Sequence, residues 1–419
     1  MTSRWIPTTE EDIVSSIANG TFSENHYLEV KQSANNGSIA ATLASLAIDG
    51  GTFILGVEEI SDAQKNKTLR TKPLPTEGLV ERIDQIARNS IEPPLVVRTV
   101  VIPSTQEAAL GYVVATVLPS PVAPHMAGGK YYGRGEASKH ALTDAEVLRY
   151  HQRRQQQLDL GAKLLEEEQE RDYLPVEQRL AGHIYIVAEP LMPINQELLE
   201  ELVDNLAVLE IVTQGSDRAP DTNPRPREAT NKLARSNGTA FVTYAALGEG
   251  RTPNPEARES SVETNLLDIE VTHAGGFRVF LGRGTVQWTP EQNFILDVNA
   301  VAYLQHLMEW ISRLSDVLNY GGAWTLGVRA TGLRGLRSTH AIQGGSTIQS
   351  TFAEKYGAMD ADRYQKITMA TLAEIQDAPN RVVRSLVGNY LRALGTEGHH
   401  SLDREAPAKS GGTTGQGRF

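Results

Sequence analysis

Two periodicities alternate along the first part of the chain. Apolar and polar residues alternate over 28–31, the period of a half-buried strand, so Tyr27, Glu29 and Lys31 are predicted to share one face. Residues 39–48 are rich in Ala and Leu and predict a short buried helix. Asp49-Gly50-Gly51 ends that helix, and the apolar run at 52–57 predicts a central strand.

The elements that follow predict a mixed sheet with helices. Apolar positions recur at helical spacing over 77–90, and strands are predicted at 96–102, 111–118 and 130–135. Thr143 and Glu146 form a capping box that opens another helix. Because that helix continues to residue 170 with strongly charged side chains, it is predicted to be an exposed linker between domains.

The second part of the chain combines short strands with helices. Strands are predicted at 183–188, 241–245, 266–271, 277–281, 286–288 and 324–330, and helices at 196–209, 298–318 and 377–394. The chain is therefore predicted to be α+β. It should have an N-terminal mixed-sheet domain at 10–155, an exposed linker helix at 156–175, a C-terminal α/β domain at 176–395 and a disordered tail at 396–419.

Composition narrows the class of protein. The 419 residues carry 40 Lys and Arg against 51 Asp and Glu, and this acidic balance disfavours indiscriminate coating of nucleic acid. Residues 1–155 are nearly balanced, with 15 basic and 17 acidic side chains, and 127–154 is locally basic. Cysteine is absent, which excludes disulfides, thiolate nucleophiles and cysteine metal sites. With no signal-peptide pattern and no long apolar run, we expect a cytoplasmic protein without a membrane span.

Several common catalytic motifs are missing. The sequence has no G-x-x-x-x-G-K-[ST], H-E-x-x-H or G-x-S-x-G, and Gly133-Arg134-Gly135 lacks the third glycine of a dinucleotide fingerprint. The histidines are dispersed, and the adjacent pair His399-His400 is interpreted as a mobile surface pair rather than a metal site. Classical ATP-loop, zinc-protease and serine-hydrolase chemistry is therefore not predicted.

Three ordered motifs nevertheless resemble the Schlafen AlbA_2 domain of bacterial Schlafen-like proteins. They are E-N-H-Y-L-E-V-K at 24–31, D-G-G-T-F-I-L-G-V-E-E at 49–59 and K-Y-Y-G-R-G at 130–135. The resemblance covers residues 10–154 and implies a nucleic-acid-binding domain. Vertebrate ribonuclease members pair two such lobes, whereas this chain has one copy, so a homodimer could supply the second.

The resemblance also implies a three-carboxylate metal site, because some Schlafen members cut tRNA or rRNA in this way. By position the acids are Glu24, Glu29 and either Glu58 or Glu59. Glu24, Glu29 and Glu58 would hold Mg²⁺ or Mn²⁺, and Lys31 would steady a phosphate oxygen during catalysis. The alternative is structural: a solvated strand face at Glu29 and Lys31, and an acidic turn at Glu58-Glu59.

Two further segments are candidates for nucleic-acid binding. Lys130, Tyr132 and Arg134 alternate along one predicted strand and would present two cations and an aromatic ring to a groove. Gly50 and Gly51 would allow phosphate to approach the backbone. Each segment has a structural alternative, namely a surface strand and a helix-to-strand turn that needs positive φ.

Three functional hypotheses follow. The favoured one is nucleic-acid binding by residues 10–155, with RNA or DNA as the partner and with metal-dependent endoribonuclease activity if the carboxylates converge. The second is a ligand-sensing, DNA-binding transcriptional regulator whose acidic cluster is structural. The third is a nucleotide (ATP)-binding protein, against which the missing phosphate loop counts.

Overall fold

The computed structural model describes residues 6–19, 25–61, 67–107, 109–135, 138–243, 263–342 and 356–402. It mixes helices with several sheets, which confirms the α+β class. The chain divides into two compact units, residues 1–157 with 321–323 and residues 158–320 with 324–419. No described helix is both long and apolar enough to cross a membrane.

The first unit contains short strands and three helices that precede a longer one. The helices are α1 (Glu10–Ala18), α2 (Asn36–Leu46), α3 (Leu79–Asn89) and α4 (Asp144–Glu170). The strands are β1 (Leu28–Lys31), β2 (Gly51–Leu55), β3 (Val57–Ser61), β4 (Lys67–Thr71), β5 (Leu74–Pro75), β6 (Ile91–Glu92), β7 (Arg98–Pro103), β8 (Leu110–Val117), β9 (Met126–Ala127), β10 (Lys130–Arg134) and β11 (Lys139–Ala141).

The main sheet of the first unit is built around β8. β1 pairs with β2 in parallel, β2 pairs antiparallel with β8, and β5 and β7 also pair with β8. Among the described strands, β3 pairs with β4, and a smaller sheet runs in the order β11-β10-β9-β6. Leu28 and Val30 pack in a core with Ile13 of α1, so strand alternation places Glu29 and Lys31 on the opposite face of β1.

The second unit is organised around a larger sheet. Its helices are the end of α4, α5 (Gln196–Asp204), α6 (Ala207–Gln214), α7 (Asp297–Val317), α8 (Leu372–Asp377) and α9 (Pro379–Leu394). Its strands are β12 (Ile184–Pro190), β13 (Asn231–Arg235), β14 (Gly238–Val242), β15 (Leu267–Thr272), β16 (Phe277–Leu281), β17 (Thr285–Thr289), β18 (Gln292–Ile295), β19 (Ala323–Ala330), β20 (Arg337–Ser338) and β21 (Tyr364–Thr371). The described part of the large sheet runs in the order β13-β14-β15-β16-β12-β19-β21.

Helix α7 is the central helix of this unit's main core. The predicted apolar stripe is buried along most of its length, with Trp310 and Ile311 fully buried. The predicted helix 196–209 is instead two helices, because Leu206 adopts a positive φ of 60° and breaks the run between α5 and α6. The capping box at Thr143 is present, with mutual hydrogen bonds between Thr143 and Glu146 at the start of α4.

The exposed linker helix predicted at 156–175 needs correction. Helix α4 continues to Glu170, and the division between the two units falls inside it. Its last turns are not exposed throughout, because Gly161, Leu165 and Glu168 are buried. Leu165 packs with Phe280 and neighbouring residues of the large sheet, so a few apolar positions in a charged sequence were enough to bury one side of the helix.

The disordered tail predicted at 396–419 is also wrong for its first residues. A 3-10 helix spans Glu397–His399, and Thr396 and His400 are buried. Both side chains hydrogen bond to Asp297 at the start of α7, which explains why this polar segment is ordered. The predicted tail beyond residue 402 lies outside the described residues.

A buried ionic cluster lies at the start of β12. His183 is fully buried, with Nδ1 2.6 Å from Asp172 Oδ2 and Nε2 2.9 Å from Glu263 Oε1. Burial lowers the pKa of His183, but the hydrogen bonds to the two carboxylates outweigh burial and raise it. Burial likewise raises the pKa of Asp172, and the hydrogen bond with His183 outweighs it and lowers that pKa. The cluster therefore favours a protonated imidazole between two carboxylates.

Replacing His183 with Asn should destabilise the protein by about 3 kcal/mol, because buried Glu263 loses a cationic partner and Asp172 keeps only Arg179, at 3.1 Å, as a charged one among the described residues. Since the folded pKa of His183 is raised, its contribution is complete below the ordinary value of 6.5 and declines as pH rises through the folded pKa. Asp172 contributes above its ordinary value of 3.8, so it does not alter this trend.

Urea unfolding at pH 5.5 and pH 8.5 should therefore show a larger gap between wild type and His183→Asn at the lower pH. His273→Asn, at an exposed turn, is the matched control and should change stability by less than about 0.5 kcal/mol. A gap that stays constant with pH would contradict the assignment of a protonated His183.

Candidate functional site

Glu29 on β1 is a buried carboxylate contacted by three cations. Arg134 Nη1 donates to Oε2 at 2.8 Å, and the ammonium groups of Lys31 and Lys139 approach Oε1 at 3.1 and 3.5 Å. Burial raises the pKa of Glu29, but the hydrogen bond and charge of Arg134, with the charges of Lys139 and Lys31, outweigh burial and lower it. One ionised carboxylate is thus matched by three positive charges.

Arg134 anchors this cluster and is not a surface residue. Its side chain is only 1% exposed, and Nη2 donates to the carbonyl oxygens of Asn25 at 3.0 Å and Leu28 at 3.3 Å. Tyr132 is partly buried against the core that includes α2 and α3, whereas Lys130 is exposed. The groove predicted to present Lys130, Tyr132 and Arg134 together is therefore not formed, because β10 turns Arg134 inward to neutralise Glu29.

Lys31 and Lys139 lie where the cluster reaches solvent. Their side chains are 32% and 23% exposed, and Lys139 Nζ also donates to Thr42 Oγ1 of α2 at 3.0 Å. Burial lowers the pKa of Lys139, and the nearby charge of Lys31 acts in the same direction while Glu29 opposes both. Two neighbouring ammonium groups therefore share one carboxylate oxygen.

Sequence reasoning missed Lys139. Its membership of the locally basic stretch at 127–154 was the available signal, but nothing in that stretch indicates that β11 would bring the side chain beside Glu29.

The N-terminus of α2 follows Lys31 closely in sequence. Asn35 caps the helix, because its side-chain oxygen accepts from the Ser38 N–H at 2.8 Å. The N–H groups of Asn36 and Gly37 lie in the first turn and therefore have no partner within the helix. Arg82 of α3 donates to Asn36 Oδ1 at 2.8 Å and to the Ala34 carbonyl at 3.1 Å. Asn36 and Gly37 are exposed, and a helix N-terminus with a guanidinium beside it favours an anion.

His26 orders the turn that leads into β1. Its Nε2 lies 2.9 Å from Asp49 Oδ2, and its Nδ1 lies 3.1 Å from the carbonyl oxygen of Gly135. The neighbouring Tyr27 packs edge-on against the His26 ring and is 36% exposed. An aromatic ring is thus available at the surface immediately before the strand that carries Glu29 and Lys31.

The predicted three-carboxylate site is not assembled within the described ranges. Glu24 lies outside them. Glu58 on β3 is paired with Arg70 and with Lys72 at 2.8 Å, and their hydrogen bonds, that of Lys72 first, lower the pKa of Glu58. Glu59 is exposed and points to the other face of β3. Among described side chains, no group of three metal donors within 4.8 Å of one another contains Glu29, Glu58 or Glu59.

The two predicted glycines have structural roles. Gly50 adopts a positive φ of 79°, which glycine accommodates most readily, at the turn that follows α2. A Cβ on Gly51 would lie 2.5 Å from the carbonyl oxygen of Tyr27 and 2.6 Å from Leu46 Cδ2. The positive φ of Gly50 and the close packing around Gly51 therefore account for the two glycines without a phosphate.

Comparison with known proteins adds little to this geometry. No protein-family model and no curated protein matches the chain. Similar solved structures include the N-terminal domain of a RecG-related protein, of the ATP-dependent DNA helicase type, from Nitrosomonas europaea: 18% identity over 33% of this chain and 96% of that chain, with a TM-score of 0.25. Another is the DIP2311 protein from Corynebacterium diphtheriae, with 12% identity over 74% of this chain and 77% of that chain, and a TM-score of 0.23.

TM-scores this low support no argument about function. Membership of the Schlafen AlbA_2 family therefore stays a prediction from the three sequence motifs.

Replacing Arg134 with Met should cost about 3 kcal/mol of unfolding free energy, because Glu29 and two backbone carbonyls lose a buried donor. Since the folded pKa of Glu29 is lowered, its contribution is present above the ordinary value of 4.5 and is lost as pH falls through the folded pKa. The variant should have a higher Glu29 pKa and a smaller loss of stability on acidification.

Urea unfolding at several pH values between 3 and 7 would measure both effects. Arg88→Met is the control, because Arg88 is 66% exposed and pairs with Asp84 on the surface of α3. Equal stability losses in the two variants would mean that Arg134 does not hold the cluster together.

Proposed function

We propose that the first unit binds nucleic acid without cleaving it, through a basic surface formed by Lys31, Lys139 and Arg82 beside the N-terminus of α2. The observation that carries this proposal is the unequal charge at Glu29, where three cations contact one buried carboxylate. Arg134 is internal, so the excess positive charge is presented by the partly exposed lysines.

A phosphate group would complete the charge balance of this surface. Lys31 and Lys139 both approach Glu29 Oε1, and burial together with the charge of Lys31 lowers the pKa of Lys139. A phosphate oxygen between the ammonium groups would relieve their repulsion through charge-assisted hydrogen bonds. The N–H groups of the first turn of α2, which have no partner within the helix, and the Arg82 guanidinium provide further donors of the kind that contact a nucleic-acid backbone.

An exposed aromatic ring near this surface favours a single strand of nucleic acid as the ligand. Tyr27 is partly exposed, and base stacking on such a ring contributes about 1–3 kcal/mol. Because backbone contacts and stacking both tolerate different sequences, binding should depend strongly on salt and weakly on sequence.

The same charges argue against metal-dependent cleavage at Glu29. A divalent cation beside Glu29 would lie close to Arg134, Lys31 and Lys139, and their repulsion opposes its binding. Glu58 is likewise occupied by Arg70 and Lys72. We therefore favour nucleic-acid binding without cleavage over the endoribonuclease activity that the Schlafen resemblance implies.

Removing one lysine should weaken binding and lower its salt dependence. We expect Lys31→Gln and Lys139→Gln each to reduce affinity for a labelled oligonucleotide by about 3-fold to 10-fold. Each should also reduce the slope of log K against log salt by about 0.7 for single strands or 0.9 for duplex DNA. Fluorescence anisotropy with single-stranded RNA, single-stranded DNA and duplex DNA at several salt concentrations measures both quantities.

Lys163→Gln is the matched control for this experiment. This substitution removes one positive charge from α4, as the test substitutions do from the proposed surface. Lys163 is 72% exposed and pairs with Glu167. Binding that falls equally in all three variants would reflect net charge alone, and binding that survives both test substitutions would refute the proposed surface.

Incubation with bulk tRNA and Mn²⁺ separates binding from cleavage. At protein concentrations that saturate binding, we expect the RNA to remain intact for wild type, for Glu29→Gln and in the presence of EDTA. Cleavage by wild type that is lost in both controls would instead support the three-carboxylate hypothesis. A melting curve for each variant shows whether it is folded.

A further inference from the structure

Three metal-donor side chains converge at the start of α7 in the second unit. Asp297, His340 and His400 each offer a ligand atom, and these atoms all lie within 4.8 Å of one another. Asp297 is fully buried and His400 is nearly so, whereas His340 is half-buried. His400 Nε2 lies 2.9 Å from Asp297 Oδ2. The three residues come from the first turn of α7, the 3-10 helix Thr339–Ala341 and the segment that follows α9.

Hydroxyl groups hold the carboxylate of Asp297 in a fixed orientation. Ser338 Oγ donates to Oδ1 at 2.7 Å, and Thr396 Oγ1 donates to Oδ2 at 2.7 Å. The same Ser338 oxygen accepts from the backbone N–H of His340 at 3.1 Å and so links the position of His340 to that of the carboxylate. Outer groups that orient the ligands in this way are a regular feature of protein metal sites.

The ring of His340 is constrained by two neighbouring imidazoles. It stacks on His399 with ring centroids 4.5 Å apart and meets His400 edge-on at 5.6 Å. His399 is itself held by Tyr356, whose hydroxyl lies 3.1 Å from Nε2. Within the described part of the chain, neither ring nitrogen of His340 has a hydrogen-bond partner, so this imidazole is available as a ligand.

We propose that Asp297, His340 and His400 form a transition-metal site whose preferred occupant is Zn²⁺. Two imidazole nitrogens and one carboxylate oxygen suit Zn²⁺, whereas Mg²⁺ and Ca²⁺ prefer sites built from oxygen alone. The site is independent of the nucleic-acid surface proposed for the first unit.

Binding requires only a modest change at these residues. Zn²⁺ bonds to nitrogen and oxygen at about 2.0–2.2 Å, so its ligand atoms lie about 3.4 Å apart in a tetrahedron. The 2.9 Å contact between Asp297 and His400 would open by about 0.5 Å, and the His340 nitrogen, which lies within 4.8 Å of both partner atoms, would move toward them. The metal would replace the hydrogen bond between Asp297 and His400, while Ser338 and Thr396 would keep their hydrogen bonds to the carboxylate.

Such a site would fasten the C-terminal segment to the core of the second unit. His400 follows α9, Asp297 opens the central helix α7, and His340 lies beyond β20. One ion bound to all three would add a cross-link among segments that are distant in sequence. Because three protein ligands leave one tetrahedral position open, the metal could also bind water or an anionic ligand.

The test uses the full chain without a histidine tag, treated with a chelator and then titrated with Zn²⁺ by calorimetry. We expect one Zn²⁺ per chain and a higher melting temperature with Zn²⁺. His340→Ala should weaken binding at least 10-fold and abolish the thermal shift. Because His340 is half-buried and the Asp297–His400 contact remains, this variant should fold like wild type in EDTA.

Co²⁺ supplies a second readout that does not depend on stability. A tetrahedral site with nitrogen and oxygen ligands should give a visible Co²⁺ spectrum in wild type that is lost in His340→Ala. His273→Ala removes an exposed histidine elsewhere in the unit and should leave both metals bound. Absence of Zn²⁺ binding by wild type, or equal binding by wild type and folded His340→Ala, would overturn the site and leave the Asp297–His400 contact as a structural pair.

Discussion

The ion pair between Arg134 and Glu29 joins two strands that lie far apart in sequence. Both side chains are almost completely buried, and neither could be ionised there at acceptable cost without the other. The guanidinium also satisfies two backbone carbonyls ahead of and within β1, so it fixes β10 against the start of the main sheet. The positions of Lys31 and Lys139 follow from this arrangement, since both turn toward the same carboxylate.

The charge balance around Glu29 links this packing to the proposed function. A carboxylate already neutralised by Arg134 needs no further cation, yet two more lysines contact it. The surplus favours an external anion and opposes a metal ion at the same place. In the second unit, Asp297 accepts hydrogen bonds from the neutral hydroxyl groups of Ser338 and Thr396 and contacts His400. A cation is therefore favoured more at Asp297, whose hydroxyl donors are neutral, than beside Glu29, which contacts three cationic side chains.

Local pattern predicted many of the elements that carry these residues. Four of them depend only on side chains close in sequence and were therefore recognisable. They are the short strand at Glu29, the buried helix after it, the Thr143 capping box and the long apolar helix in the second part of the chain. The shared face of Glu29 and Lys31 also follows from strand alternation and is confirmed by their 3.1 Å contact. Errors arose where a polar or flexible sequence is held by distant partners, as in the last turns of α4 and at Thr396 and His400.

By itself, the sequence determined the α+β class, the order of the main elements and the presence of acids, bases and aromatic residues in the segments that form the candidate sites. Only the tertiary structure decided that Arg134 points inward, that Lys139 joins Lys31 at Glu29, and that His340 and His400 meet at Asp297. Periodicity reports which face of an element is apolar, but it contains no information about which polar side chain on one element will neutralise a charge on another. That choice depends on the three-dimensional packing of the sheets and on the cost of leaving a buried charge unpaired.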